Sequence, residues 1–550
     1  MTEGGLEALI AELTRGRVTR REFVTRAIAL GLSASGVAMV LDACGQSGAS
    51  SATPTVAAPA ANQSLTIGEG LDNYVASGLK SYIGAYPVNA NIYEQLVRLN
   101  PDYSVSPWLA SSWEVRGANT VRFHLRTDVK FQDGSPFTAA DVKYTFDRAA
   151  AGGGGLPSLG PDSTVIVDPA TVDVTPKTTN HRLVEQLVHP EFGILRQNTV
   201  FGDPKSGTGP MVFDEYVKGD HITVHRNPLY WGTAPRATQI THRFIPDATS
   251  RVLALEGGQL DLAVDVARSA VPNLRTQSGV RVATAPVGQY QAFYINIHGT
   301  APYDLGQDPA VRQAVETGID RAGYIKTVLN GLAQPVQTFV PPSILGQDAS
   351  LVKGYTYDPT GAKNALQTAG WTVGSDGIRT KNGRRLSLTL VNGFPDAITN
   401  SGAPEYVQAQ LKQIGMEVQI KSAPDSASYT NFLDAGAGDF FLETGNQNDG
   451  NAAFLPTIIF YRGQSFGNYP KYFGPGGAVD TNIAAALAAV SDSEAAKDVA
   501  MAMHEVVDNA KVFVQLAGLS RIYGLRSNIA GFSAHPSNVN QNWTTMYRTQ

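Results

Sequence analysis

"PWLASSWEVRGANTVRFHLRTDVKFQDGSPFTAADVKYTFDR", residues 107–148, sets the fold class, because three kinds of local structure can be read from it in order. Val121, Phe123 and Leu125 alternate with Arg122, His124 and Arg126, the period of two that a half-buried strand requires. "FQDGSPF", 131–137, follows with Asp-Gly and Pro, a turn signal. Thr138 and Asp141 then stand in the T-x-x-D spacing of a capping box, opening a helix that carries Val142 and Phe146 on one face. Strand, turn and helix in succession predict a mixed α/β chain.

The flanking sequence repeats these devices. Leu65 and Ile67 alternate in "SLTIGEG", a first strand. Asp308 precedes Pro309, cap and first helical residue, with Val311, Val315, Ile319 and Ala322 expected on one buried face. "YDPTGAKNALQTAGW", 357–371, uses Asp358, Pro359 and a terminating Gly370 in the same way. At 550 residues the chain exceeds what one hydrophobic core organises, so at least two lobes are expected. A net charge of −5 gives no basic footprint for nucleic acid. One cysteine, Cys44, excludes an internal disulfide, a thiolate zinc site and an iron–sulfur cluster.

That cysteine closes an N-terminal pattern. Five arginines lie within residues 1–26, and residues 27–41 run fifteen positions without a charge, too short for the ~20 residues of a membrane span. Thr19 to Val24, with Arg20 and Arg21 adjacent, resembles a twin-arginine export motif. Leu41-Asp42-Ala43-Cys44 resembles a bacterial lipobox, with Asp42 where that pattern has a small uncharged residue. The resemblance implies an export signal over 1–43 and lipid attachment at Cys44. Residues 44–64, small and uncharged, read as a flexible tether.

Pro107 to Trp113, Phe123 to Arg126, Lys130 to Gly134 and Phe137 to Val142 resemble, in order, blocks of the extracytoplasmic solute-binding proteins of ABC importers, the family that takes oligopeptides, dipeptides and nickel complexes (family five). "GTGPMVFDEYVKGDHITVHRNPLYWG", 207–232, and "FYINIHGTAPYDLGQDPAVRQAVETGIDRAGYI", 293–325, continue the resemblance. It implies a two-lobed periplasmic-binding-protein type II fold with an extra subdomain inserted in lobe I and a two-strand hinge. Lobe I is then expected at 65–290 plus 516–550, with the insert at about 94–205, and lobe II at 291–515. The chain would cross near Tyr290 to Asn296 and return near Val512 to Gly518. It further implies a monomeric, non-enzymatic, cofactor-free receptor on the extracytoplasmic face of the cell membrane. Its partners would be permease subunits and a small solute, peptide-like or, as the alternative, an oligosaccharide or other polar conjugate. A secreted hydrolase or a sensor domain on the same fold is the reading from a different class.

Motifs for catalysis are missing. "HEVVD", 504–508, has Asp508 where a zincin needs its second histidine. "GTGPMV" lacks the third glycine of a dinucleotide loop, "GGGG" at 152–155 is not followed by Lys-Ser/Thr, and "NQNDGN" fails calcium-loop spacing. In peptide-binding relatives an aspartate in the stretch corresponding to 438–460 pairs with the peptide amine. Here its position holds Gln447, and Thr444 stands near where those relatives have a tryptophan. Asp449, two residues on and flanked by Gly445 and Gly450, is the candidate substitute carboxylate. Otherwise Asn446, Gln447, Asn448 and Asn451 offer neutral donors and acceptors suited to hydroxyl groups, or form a solvated loop. Tyr74, Tyr82 and Tyr86, after the first strand, and Tyr290, at the first crossing, are candidate stacking surfaces.

Overall fold

A computed structural model describes residues 63–71, 86–117, 119–151, 159–177, 180–199, 205–393, 402–461 and 476–550, all within one compact unit, Pro59–Gln550. The export motif Arg20 and Arg21, Cys44, and the candidates Tyr74 and Tyr82 lie outside the described residues.

Strand Thr120–Leu125 buries Val121, Phe123 and Leu125, as its alternation requires. It pairs antiparallel with Ala110–Arg116 and Thr171–Val174, and Thr164–Asp168 completes a four-stranded sheet. In the turn, Asp133 Oδ1 accepts from Ser135 N at 2.9 Å, while Gly134 takes φ 91°, which a side chain would resist. The Asp141 carboxylate reaches back to Thr138 N at 2.8 Å, and helix Ala139–Ala151 lays Val142 and Phe146 on this sheet.

This unit is inserted in a larger lobe. A seven-stranded sheet runs Val280–Thr284, Ile522–Arg526, Leu262–Val264, Ser64–Glu69, Gln239–Phe244, His221–Arg226 and Met211–Val217 from edge to edge. Ser64–Glu69 pairs parallel with both its neighbours, with Leu65 and Ile67 fully enclosed. A buried carboxylate ties the insert to this lobe. Glu94 accepts from Trp108 Nε1 at 2.8 Å and Tyr230 Oη at 2.9 Å through one oxygen, and from Thr208 Oγ1 at 2.8 Å and Trp231 Nε1 at 2.9 Å through the other.

A six-stranded sheet forms the second lobe, in the order Ala333–Gln334, Phe513–Leu519, Gln289–Ile295, Phe440–Asn446, Ser387–Asn392, Glu417–Ser422. Every residue of Gln289–Ile295 and Phe513–Leu519 is buried, because helices cover both faces. Phe293 and Ile295 face one core, which includes residues of helices Pro309–Thr317, Pro359–Thr368 and Ala403–Lys412. Tyr290, Ala292 and Tyr294 face the other, with Ala478–Ala488 and Asp492–His504. The chain leaves the seven-stranded sheet after Val280–Thr284 and returns to it at Ile522–Arg526, so two short connections, 285–288 and 520–521, join the sheets.

The expected helix face through Ala322 is corrected. Asp308 caps Pro309–Thr317 through Ala310 N, and Val311, Val315 and Ile319 are buried, but the helix stops at Gly318. Asp320 starts a new helix, Arg321–Thr327, by accepting from Gly323 N at 2.8 Å, and Ala322 is exposed. A second N-cap inside a periodic apolar run outweighs the period.

Candidate functional site

Strand Phe440–Asn446 ends beside the first connection between the sheets, and the loop after it is held by its own polar side chains. Gln289 Nε2 donates to Asn446 Oδ1 at 2.5 Å, and Gln447 N donates to Gly288 O at 2.9 Å. The Gln447 amide, fully enclosed, donates to Asp449 O at 2.9 Å, Asp449 Oδ1 at 3.1 Å and Asn451 O at 2.9 Å. Asn451 N donates to Asp449 Oδ1 at 3.0 Å, and Asn451 Oδ1 receives Ala453 N at 2.9 Å, leading into helix Phe454–Phe460. Gln447, Asn448, Asp449 and Asn451 are all buried, so the run is not a solvated loop.

Its chemistry is partly unsatisfied. Among the described residues, Gln447 Oε1, Asn448 Oδ1, Asn451 Nδ2 and Thr444 Oγ1 are buried without a hydrogen-bond partner. Asp449 is 2% exposed and has no cationic side chain within 4 Å among the described residues. Burial, and secondarily the Glu185 carboxylate, push its pKa well above the ordinary carboxylate range. The Tyr103 hydroxyl lies 3.5 Å from Gln447 O, and burial and Asp449 raise its pKa.

Across from this loop stands the inserted subdomain. A Cβ on Gly450 would lie 2.5 Å from Tyr103 O, so only glycine permits the approach. A cavity of about 260 Å³ opens here, lined by Asp102, Tyr103, Ser104 and Arg182 on one side and by Ser343, Ile344, Gly450, Ala452, Asp492 and Ala495 on the other. Ile344 packs against the cores of both sides. The Arg182 guanidinium, nearly enclosed, donates to the Asp492 carboxylate, to Ala489 O and to Glu185 Oε1.

The structure thus groups Asn446, at the strand end, with Gln447 and Asp449 in the loop after it, and separates Tyr290 from them in role. The Tyr290 ring packs on Phe339 and Phe513, each at 5.6 Å between centroids, and its hydroxyl pairs with Tyr294 Oη at 2.8 Å, so it is a core residue here. Tyr86 opens the short helix Tyr86–Asn89. Sequence reasoning missed Tyr103, Arg182 and Asp492. Tyr103 had one signal, the Asn-Pro-Asp-Tyr turn in which it takes φ 69°. Asp492 was visible only as part of a helix start, and Arg182 carried no signal.

Residues 104–466 match the family described as "Bacterial extracellular solute-binding proteins, family 5 Middle". The chain is 31% identical over 393 residues to the nickel-binding periplasmic protein of Escherichia coli (strain K12), covering 67% of this chain and 72% of that protein. Among solved structures it resembles NikA from Brucella suis in complex with Fe(III)-EDTA, with a TM-score of 0.76, 24% identity, and coverage of 88% of this chain and 100% of that one. It also resembles the periplasmic binding protein DppA from Helicobacter pylori in complex with the peptide STSA, with a TM-score of 0.71, 21% identity, and coverage of 88% and 98%. These likenesses carry the two-lobed fold with its inserted subdomain.

Proposed function

This chain belongs to the bacterial extracellular solute-binding proteins of family 5, and from that premise we propose that it is the lipid-anchored receptor of an ABC importer, capturing a peptide-like solute between its lobes. Members of the family are transport binding proteins, not enzymes, and act outside the cytoplasm with ABC permeases. Among the described residues no helix is long and apolar enough to cross a membrane. In the proposal Arg20 and Arg21 direct export, Cys44 carries the lipid, and residues 45–64 let a monomeric body reach the permease. Connections 285–288 and 520–521 act as the hinge between lobe I and lobe II, converting solute concentration into a closed population.

One observation carries the choice of solute: Asp449 is a buried carboxylate without a counter-cation, in the loop whose Gly450 and Ala452 line the cavity. An ammonium group brought by a peptide would offset its desolvation, and the unpaired amide atoms of Gln447, Asn448 and Asn451 would serve the peptide's neutral groups. Those same neutral atoms support the second reading, an oligosaccharide.

Native mass spectrometry of the gently purified protein, then calorimetric titration with the peptide Ser-Thr-Ser-Ala, maltotriose and a nickel–histidine complex, tests the assignment. Peptide affinity is expected to fall about tenfold or more in Asp449→Asn, with a neutral sugar unaffected. Binding of maltotriose alone, or an unchanged peptide affinity in that variant, would move the assignment to the sugar or remove Asp449 from it.

A further inference from the structure

Arg182 stands at the start of helix Leu183–Gln186, whose Leu183 and Val184 are set in the core of the inserted subdomain. Its guanidinium nevertheless finds most of its acceptors in the second lobe. It donates to the carboxylate of Asp492, the first residue of helix Asp492–His504, and at 3.3 Å to the carbonyl of Ala489, the residue that ends helix Ala478–Ala488. Among the described residues, Glu185 Oε1, at 3.3 Å, is its one side-chain acceptor from its own side. A helix C-terminus leaves carbonyls without intrahelical donors, and such ends attract cations. The junction between these two helices therefore presents one carbonyl and one carboxylate at spacing that a single planar guanidinium can engage together.

We propose that Arg182 is a closed-state latch: a guanidinium on the inserted subdomain that bridges two helix ends of the second lobe only when the lobes are shut over the cavity. The proposal rests on the reading that the lobes open and close about the two connections. Arg182 and Asp492 both line the cavity, so the latch forms one wall of the enclosed space. The asymmetry of the pair favours this role. Arg182 has a side-chain exposure of 5%, whereas Asp492 is 86% exposed. Opening would carry the guanidinium away from two of its three acceptors and return it to water, so the latch biases the equilibrium modestly and remains reversible. It is a positioning residue for closure and needs no contact with solute. Ile344, packed against both cores, is the apolar companion contact across the same seam.

The test reads the closed population directly. In the full chain with Cys44→Ser, spin labels at Val115→Cys, exposed on the four-stranded sheet, and Val373→Cys, exposed in the second lobe, report the interlobe distance distribution by double electron–electron resonance. Without solute, Asp492→Asn and Arg182→Gln are each expected to lower the ratio of the closed to the open population about fivefold, and the double variant no further than the more severe single one. Asp492→Asn changes an exposed residue at a helix start, so it keeps the test valid if Arg182→Gln folds poorly. An unchanged distribution in Asp492→Asn, or effects that simply add in the double variant, would overturn the latch. Adding the peptide Ser-Thr-Ser-Ala, maltotriose and a nickel–histidine complex to the unsubstituted pair separates the two claims. No response to any of the three counts against solute capture and leaves the comparison between variants intact.

Discussion

Asp439 is almost wholly enclosed, and its carboxylate accepts two backbone N–H groups, from Thr389 at 2.8 Å and Leu305 at 3.2 Å. Burial outweighs these bonds and pushes its pKa up to about 6. His535 is shifted the other way: burial holds it down to about 4. Its Nδ1 lies 3.0 Å from both Ser537 N and Ser537 O, and its Nε2 3.3 Å from Leu99 O. A carboxyl whose folded pKa is raised contributes stability that is complete below its unfolded value near 4 and is lost as pH rises through about 6. A histidine whose folded pKa is lowered contributes stability that is complete above its unfolded value near 6.5 and is lost as pH falls through about 4. The two slopes oppose each other over the same window. Replacing Asp439 with Asn is therefore expected to remove one of them: relative to the variant, the native chain should lose about 2 kcal/mol between pH 4 and pH 6.5. Urea unfolding at half-unit pH steps measures this difference, and a difference that stays flat across the window would refute the assignment. Neither residue was marked in the sequence, because burial comes from partners far along the chain. The carboxylate that was marked, Asp449, was singled out through the resemblance, as a substitute two residues from the relatives' aspartate position; its burial without a cationic neighbour among the described residues had no sequence signal.

Local rules were most legible where side chain and backbone meet within four residues. Asp308 before Pro309 and Asp358 before Pro359 each cap a helix as their spacing indicates, since these bonds depend on nothing distant; at Thr138 only the return bond of the box forms, from Thr138 N to the Asp141 carboxylate, to which the Thr138 hydroxyl also donates. The same rule, left unapplied at Asp320, explains the one helix drawn too long. Val311, Val315, Ile319 and Ala322 keep the helical period, yet Asp320 offers its carboxylate to Gly323 N and begins Arg321–Thr327 instead. Asp320→Ala should thus cost about 1 kcal/mol of stability, measured by denaturant unfolding, and Asp320→Asn markedly less. Equal losses for Ala and Asn would mean that the carboxylate acts through charge, not as a cap. At the loop 446–453 sequence rules pointed the wrong way about exposure. Asparagine, aspartate and glycine ordinarily form solvated turns, but here Gln447 donates three hydrogen bonds inward and lets the loop be buried against Tyr103.

The arrangement of the whole molecule was legible only through resemblance, because sheet pairing is set by partners that no periodicity names. Gln289–Ile295 is hydrogen-bonded on one side to Phe440–Asn446 and on the other to Phe513–Leu519, each more than a hundred residues away. A single crossing out and a single crossing back then leave the lobes joined by connections short enough to bend. Gly288, in the first of them, sits where both lobes meet: its carbonyl accepts from Gln447 N at 2.9 Å, and a Cβ there would lie 2.6 Å from Pro536 O and 2.6 Å from Tyr103 Oη. Contacts that short force something to shift: the Tyr103 hydroxyl ends a side chain, but Pro536 O is backbone of the first lobe, so relief there requires the connection carrying residue 288 to move relative to that lobe. Gly288→Ala should accordingly disfavour closure while leaving both lobes folded. Small-angle scattering on the peptide-saturated variant is expected to keep the radius of gyration of the free protein, with peptide affinity about tenfold weaker and an unfolding midpoint close to native. If the variant compacts on binding as fully as the native chain, the tight approach at Gly288 is a feature of packing and closure is controlled elsewhere.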